Sequence, residues 1–300
     1  MTVDQARRRS EVIRTVRKFF DDQDFIEVET PARIAAPAQE TQIDAPRSDK
    51  AFLRASPELQ MKRLLCAGFS KIYQIGPCFR TAECGRRHNP EFTLLEWYRA
   101  QSDYQQMLAD TEALVKKALG GDEIPYQGGT IDLRTPWPII TVQEAFQKWA
   151  GWDPTMTWDA DRFDLDLLQK VEPALPKDRP CVMMDYPEPA ASLARLKPDN
   201  PRVAERWEVY IGGLEIANAY SELCDPDAQR ARFEESAAER HALGKDDYPM
   251  DEDFLQALKK QGMPPSGGIA LGIDRLVMLA LDTNDIADAR LFCQRPGELI

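Results

Sequence analysis

The chain has 300 residues, is 43% hydrophobic and 29% charged, and carries a net charge of −12. That composition excludes a disordered chain, and the length suits one large domain, or one domain with an insertion, able to bury a substantial core. The acidic balance argues against a protein whose main work is coating nucleic acid, which attracts a basic surface. No apolar run is long enough to span a bilayer and the first 16 residues lack a signal-peptide stretch, so a cytoplasmic location without membrane attachment is expected.

Residues 4–22 place Val12, Ile13, Val16, Phe19 and Phe20 at helical spacing. Within that helix, Arg7, Arg8 and Arg9 read as a solvated face rather than a basic patch. FIEVETP predicts a strand stopping at Pro31, and residues 32–50 a loop. Residues 51–69 predict a short strand and a helix starting near Ser56-Pro57-Glu58, where Pro and Glu give a start signal. IYQIGPCF and FTLLEWYRA read as two strands around a charged loop. Ser102 predicts the next helix start, with Gln105 as capping-box partner, and Gly120 its end. Residues 125–180, with four tryptophans (Trp137, Trp149, Trp152, Trp158), read as a small helical insertion. CVMMDYP predicts a strand, residues 206–223 a hairpin turning at Gly212-Gly213, and residues 225–245 a charged helix. Residues 264–281 predict a Gly-rich strand running into an apolar helix. Short turns between neighbouring strands favour an antiparallel sheet flanked by helices, an α+β chain.

The six cysteines form no CxxC pair. Cys78, Cys84 and His88 lie close in sequence, but their spacing fits no zinc pattern, and reduced, mostly buried thiols are expected. The loop RTAECGRRHNPEF (80–92) is either a solvated turn or a grip for several negative charges.

Three segments taken together resemble the three motifs of class II aminoacyl-tRNA synthetases: the first helix with FIEVETP, the run FR…E…RHNPEF, and GGIALGIDRL. GGIALGIDR by itself also suits a close-packed strand, with Gly267, Gly268 and Gly272 giving backbone clearance. The resemblance implies a synthetase-like catalytic domain over residues 1–300 that uses ATP and Mg²⁺. It implies catalytic roles for Arg80, on the α-phosphate, and Arg275, on the far phosphate end. A guanidinium holds phosphate bidentately as Lys cannot. Phe92 matches the adenine-stacking aromatic, and Glu208 and Glu215 match the Mg²⁺ ligands. Thr81, Ala82, Glu83, His88, Asn89, Ile216 and Gly272 complete the implied ATP site. The family usually reads R-x-E here, whereas position 82 is Ala and Glu83 follows. Either the loop shifts by one residue or backbone groups read adenine.

HNPEFTLLEWYRA and GLEIANAYSEL look like the lysine-pocket segments of lysyl-tRNA synthetases. That resemblance places Glu222 and Tyr98 at the side-chain ammonium and Glu58 and Glu96 toward the other amino group. Asn218, Ser56, Pro57 and Ala270 complete the substrate site. The anticodon-binding barrel that precedes the first motif in those enzymes has no counterpart in these residues. A core of this kind resembles the paralogues that attach (R)-β-lysine to elongation factor P. Ala270 stands where lysyl-tRNA synthetases usually carry glycine, and its methyl either reshapes the pocket for β-lysine or is neutral drift. Expected partners are therefore elongation factor P, lysine or (R)-β-lysine and a second copy of the chain, without stable tRNA binding. A truncated lysyl-tRNA synthetase-like enzyme, charging tRNA or releasing lysyl-adenylate, and a non-catalytic regulatory paralogue are the alternatives.

Overall fold

The computed structural model describes residues 1–295, and among these a nine-stranded sheet organises the chain. In chain order the strands are β1 (Ile26–Glu27), β2 (Arg33–Ile34), β3 (Arg47–Ser48), β4 (Ala51–Leu53), β5 (Lys71–Phe79), β6 (Glu91–Ala100), β7 (Glu123–Tyr126), β8 (Gly129–Asp132), β9 (Ile139–Thr141), β10 (Cys181–Pro187), β11 (Leu196–Lys197), β12 (Asn200–Ile211), β13 (Leu214–Ser221) and β14 (Ser266–Gly272). The helices are α1 (Val3–Asp21), α2 (Glu58–Cys66), α3 (Tyr104–Leu119), α4 (Val142–Trp149), α5 (Ala160–Asp166), α6 (Pro226–Ala242), α7 (Glu252–Gln261), α8 (Ile273–Ala280) and α9 (Ile286–Ala289). The sheet runs β1-β5-β6-β14-β13-β12-β10-β9, with β11 beside β12. It is antiparallel except at its two ends, where β1 pairs with β5 and β9 with β10 in parallel. Among the described residues no helix is long and apolar enough to cross a membrane.

Alternation along the strands sorts the side chains onto two faces. Tyr73, Trp97, Ile269, Ala219 and Trp207 are cross-strand neighbours on one face. All are buried, and they join a cluster with Val12, Val16 and Phe20 of α1, Met107, Leu114 and Val115 of α3, and Leu276 and Val277 of α8. Phe20 stacks on Tyr73 with centroids 4.5 Å apart and meets Phe25 edge-on at 5.0 Å. Each such buried side chain contributes roughly 1.5–3 kcal/mol. The β12–β13 hairpin turns at Gly212 and Gly213, whose φ values of 60° and 77° lie in the left-handed region that glycine tolerates. A Cβ on Gly212 would also strike the Tyr126 ring at 2.7 Å.

Three local expectations change. α3 is capped by Asp103, not Ser102: the Asp103 carboxylate accepts from the N–H groups of Gln105 and Gln106, and the Ser102 hydroxyl has no partner. FIEVETP forms a strand only over Ile26 and Glu27; Val28 still donates its N–H to the Tyr73 carbonyl at 2.9 Å, and beyond it the Gln74 side chain takes the Thr30 N–H at 2.8 Å in place of a backbone carbonyl. Arg9 is not a solvated residue. It donates to Asp274 Oδ1 at 2.6 Å, the Ala289 carbonyl at 2.9 Å and Thr93 Oγ1 at 2.9 Å. Asp274 is buried and also takes Arg290 at 3.1 Å and the Thr93 N–H at 2.8 Å, so it fixes the start of α8.

Residues 123–180 open with the β7–β8 hairpin, then add β9 to the main sheet. They continue through α4 and α5 around a second core of Val142, Phe146, Phe163 and Val171. Trp137 is buried in the main core, whereas Trp149 and Trp152 pack on this second one.

Neighbouring arginines on α1 should therefore differ sharply. Arg9→Ala removes charge-assisted bonds to a buried carboxylate and is expected to lower unfolding free energy by about 2–3 kcal/mol. Arg7→Ala, whose side chain is 73% exposed, should stay within about 0.5 kcal/mol. Urea unfolding of both variants checks this, and equal midpoints would contradict it.

Candidate active site

The sheet face opposite the core collects charge. Gln74, Glu96, Ala270, Asn218 and Glu208 are cross-strand neighbours in one row; Ile72, Tyr98, Gly268, Tyr220 and Arg206 form the next. A register shift between Val209 and Tyr210 sets Tyr210 opposite Glu215. That bulge brings Glu215 onto the charged face and leaves Ile216 as the extra residue.

The β5–β6 hairpin carries the 80–92 loop over this face, and its charges divide in two. Arg86 donates to Asn284 Oδ1 at 2.6 Å and Arg87 to the Gly213 carbonyl at 3.0 Å, so both fasten the loop to its surroundings. Arg80, Glu83, His88, Asn89 and Phe92, joined by Arg87, line an open cleft of about 200 Å³. Its opposite wall comes from Glu215, Ile216, Asn218, Ala270, Gly272 and Arg275. Ala82 adopts a left-handed φ of 64° and lies outside the cleft, as does Thr81, whose N–H is tied to the Asp44 carbonyl at 2.7 Å. The left-handed residue turns the chain so that Glu83 enters the cleft.

Electrostatics define the cleft. The Arg80 guanidinium lies 5.0 Å over the Phe92 ring centroid and 3.5 Å from Glu83, and its buried Nε has no acceptor. A buried donor without a partner is costly, and a bound anion would satisfy it. Arg275 donates to the Glu215 carbonyl at 2.7 Å, to Glu215 Oε2 at 3.1 Å and to His88 Nε2 at 2.8 Å. Burial pushes the Glu215 carboxyl up, but Arg275, Arg80 and Arg206 outweigh it and hold the group below its ordinary value. Burial and then Arg275 depress His88, which stays neutral at pH 7 and accepts from Arg275. Glu208 is buried with both oxygens engaged, one by Arg206 at 2.6 Å and one by the Tyr210 hydroxyl at 2.8 Å, and it does not line the cleft.

Beyond Ala270 lies a second, buried charge cluster. Ser56 and Tyr98 donate to the two oxygens of Glu96 at 2.5 and 2.9 Å. The Lys62 ammonium, fully buried on α2, sits 2.5 Å from Glu58 Oε1 and 2.5 Å from Glu222 Oε2. Burial raises Glu96 to about 8, with Glu58 adding repulsion. Burial raises Glu222 to about 7, against the attraction of Lys62. Pro57 only caps α2 and contributes no side-chain bond. Gly268 lies where a Cβ would collide with Glu222 Oε1 and the Tyr98 ring, and Gly267 where it would meet the Asp103 carbonyl at 2.6 Å. Gly272 has no such constraint, its nearest contact being Arg275 at 3.8 Å.

A family model for class II tRNA synthetases (D, K and N) matches residues 3–296. The chain belongs to the class II tRNA synthetases. Its α+β architecture, a mostly antiparallel sheet flanked by helices, is that catalytic fold. It is 41% identical to the lysine–tRNA ligase of Moorella thermoacetica over 97% of this chain and 65% of that protein. With the lysine–tRNA ligase of Pelotomaculum thermopropionicum the identity is 40%, over 95% of this chain and 62% of that protein. With that of Coxiella burnetii it is 38%, over 95% and 63%. The chain thus spans between 62% and 65% of the length of these relatives.

Sequence reasoning missed four charged residues of this synthetase domain. Lys62 had a signal, since Glu58 and Lys62 stand four apart on one helix. Arg206 shares the alternation of Glu208 and Tyr210, donates to the Ala190 carbonyl at 2.6 Å and packs 4.2 Å over the Tyr186 ring centroid. Glu172 meets the Tyr210 hydroxyl at 3.3 Å, and burial followed by repulsion from Glu208 and Glu215 raises it to about 7. Glu40, from the 32–50 loop, lines a small cavity with Ser56 and Glu58 and has no pattern to announce it.

The raised carboxyls set a pH dependence. In the folded chain Glu96 binds its proton up to about pH 8, against an ordinary value near 4.5. The stability it contributes is complete below about pH 4.5 and is lost as the pH rises toward 8. Glu96→Gln should gain melting temperature relative to the parent between pH 5 and pH 9 without substrate. A difference constant with pH in calorimetry would refute the assignment.

Proposed function

We propose that the chain is an ATP-dependent ligase that activates (R)-β-lysine or lysine as an adenylate. It then transfers the acyl group to the ε-amine of a lysine on elongation factor P. The observation that carries this reading is the sharing of one sheet face: a guanidinium-lined cleft opens beside a buried cluster of carboxylates that exceeds its single lysine in charge. The first end suits a nucleoside triphosphate and the second an amino acid bearing two ammonium groups.

In the first step the substrate carboxylate oxygen bonds to the α-phosphorus of ATP while the bond to the β-phosphate oxygen breaks and pyrophosphate leaves. The carboxylate is already ionised, so no general base is required. Arg80, with an unsatisfied Nε, holds charge on the α-phosphate, and Arg275 holds the far phosphates. Phe92 offers a face for adenine, and Glu83, which lines the same cleft, would accept from its amino group. Glu215, kept anionic by its arginine neighbours and lining the cleft, is the residue that would hold Mg²⁺ with the phosphates, whose charge that ion would neutralise; Glu208 would join it only on release from Arg206 or Tyr210. In the second step the acceptor amine, having lost its proton, attacks the acyl carbon and AMP leaves. Positioning supplies most of that step. The chain acts as a homodimer in the cytoplasm.

The second reading, a lysyl-tRNA synthetase-like core that charges tRNA or releases lysyl-adenylate, is favoured by the names of the relatives. Intact mass spectrometry separates the two. With ATP, Mg²⁺ and (R)-β-lysine, elongation factor P should gain one lysyl mass and tRNA should stay uncharged; the reverse result would favour the second reading. Arg80→Ala should lower pyrophosphate exchange by 10²-fold or more on the scale of about 10²–10³ seen for a lost oxyanion donor, with unchanged circular dichroism. Normal exchange would sink the mechanism. Ala270→Gly removes the methyl between Glu96 and Asn218 and should shift the kcat/KM ratio toward α-lysine by about tenfold. An unchanged ratio would mean that the methyl plays no part in selection.

A further inference from the structure

Of the four carboxylates that act on one another around Lys62, three are committed. Glu58 and Glu222 share Lys62, and Glu96 accepts from Ser56 and Tyr98. The fourth, Glu40, lines the same small cavity as Ser56 and Glu58, and its carboxyl has no hydrogen-bond or ion-pair partner among the described residues. The backbone around it is tightly held. Arg240 of α6 is fully buried and donates to the carbonyls of Glu40 at 2.8 Å and Ile43 at 2.9 Å and to Asp44 Oδ1 at 2.9 Å. Its guanidinium also lies 4.0 Å from the Tyr248 ring centroid. Lys245 takes the Thr41 carbonyl at 2.8 Å, and Gln39 donates to the carbonyls of Tyr248 and Pro249 at 3.1 and 3.0 Å. The neighbours of Glu40 thus face α6 and the segment after it, while Glu40 itself lines the cavity beside Ser56 and Glu58, and its carboxyl lies within reach of the charges of Glu58, Arg80, Arg206 and Lys62.

We propose that Glu40 determines specificity for the amino acid, its carboxylate taking the ammonium group nearest the reacting carboxylate. The inference rests on the reading of the pocket as a diamino-acid site. Glu58 and Glu222 must divide their charge with Lys62, so a second ammonium needs an acceptor that is not already neutralised. Burial and then repulsion from Glu58 raise the Glu40 carboxyl to about 7, against the pull of Arg80, Arg206 and Lys62. An arriving ammonium therefore displaces a proton near neutral pH, and affinity rises with pH across that range.

Glu40→Gln keeps shape and removes charge. Pyrophosphate exchange with the full chain should show KM for lysine and (R)-β-lysine raised about tenfold or more, with kcat and the KM for ATP within about twofold. The fall of the parent's KM between pH 6 and 8 should flatten. 6-Aminohexanoate, which lacks the amine nearest the carboxylate, should bind parent and variant equally in calorimetric titration. Unchanged KM, or an equal loss for 6-aminohexanoate, overturns the proposal. A parent that exchanges no pyrophosphate defeats the ligase reading on its own. Titration with lysine and (R)-β-lysine then still decides this one: weaker binding to Glu40→Gln supports it, while equal binding, or none to the parent, overturns it.

Discussion

Everything at the candidate site depends on a period of two. Five adjacent strands, β5, β6, β14, β13 and β12, keep register so that one row of apolar residues faces α1, α3 and α8 while the neighbouring rows face the cleft and α2. One row of the sheet is Tyr73, Trp97, Ile269, Ala219 and Trp207; the row one residue along is Gln74, Glu96, Ala270, Asn218 and Glu208. Burial of the first row supplies the free energy that holds the second in place. The charged groups therefore sit on a rigid support instead of on mobile loops. The 80–92 and 32–50 segments reach the site outside this sheet, and both are pinned by arginines, Arg87 in one case and Arg240 in the other.

Concentrating so much charge on one face is unfavourable unless each charge has a partner. The face answers this in two ways. At the cleft, cations lead: Arg275 and Arg80 keep Glu215 ionised, and Arg206 engages Glu208. In the pocket beyond Ala270, anions lead, and Lys62 neutralises only part of them, so burial drives Glu96 and Glu222 toward their protonated forms. A site with a positive end and a proton-rich acidic end on one surface has a built-in polarity. That polarity orients a molecule carrying phosphate at one end and ammonium at the other.

Much of this was legible in the amino-acid order because the deciding signals are local. Period-two runs marked β5, β6, β12 and β13, the adjacent glycines marked their turn, and Gly120 ended α3. The glycines of GGIALG read correctly as clearance at positions 267 and 268, but Gly272 meets only ordinary contacts. What escaped depends on contacts distant in sequence. Arg9 looks like Arg7 until Asp274, 265 residues away, comes to it. Ser102 and Asp103 are both capping residues, and which one faces the open N–H groups is decided by how α3 docks. Glu40 sits in a segment without periodicity, and its place beside Glu58 depends on the buried Arg240, which holds its backbone from a helix 200 residues away.

The bulge between Val209 and Tyr210 makes strand parity a property of the site. In unbroken alternation from Ala217, Tyr210 would pair with Ile216, and Glu215 would fall opposite Ile211 on the apolar face. The extra residue therefore decides which side of the sheet the acid takes. What matters is its place: an insertion between Glu215 and Ala217 turns the acid toward Arg275, whereas the same residue added nearer the turn would leave the acid on the side of the core.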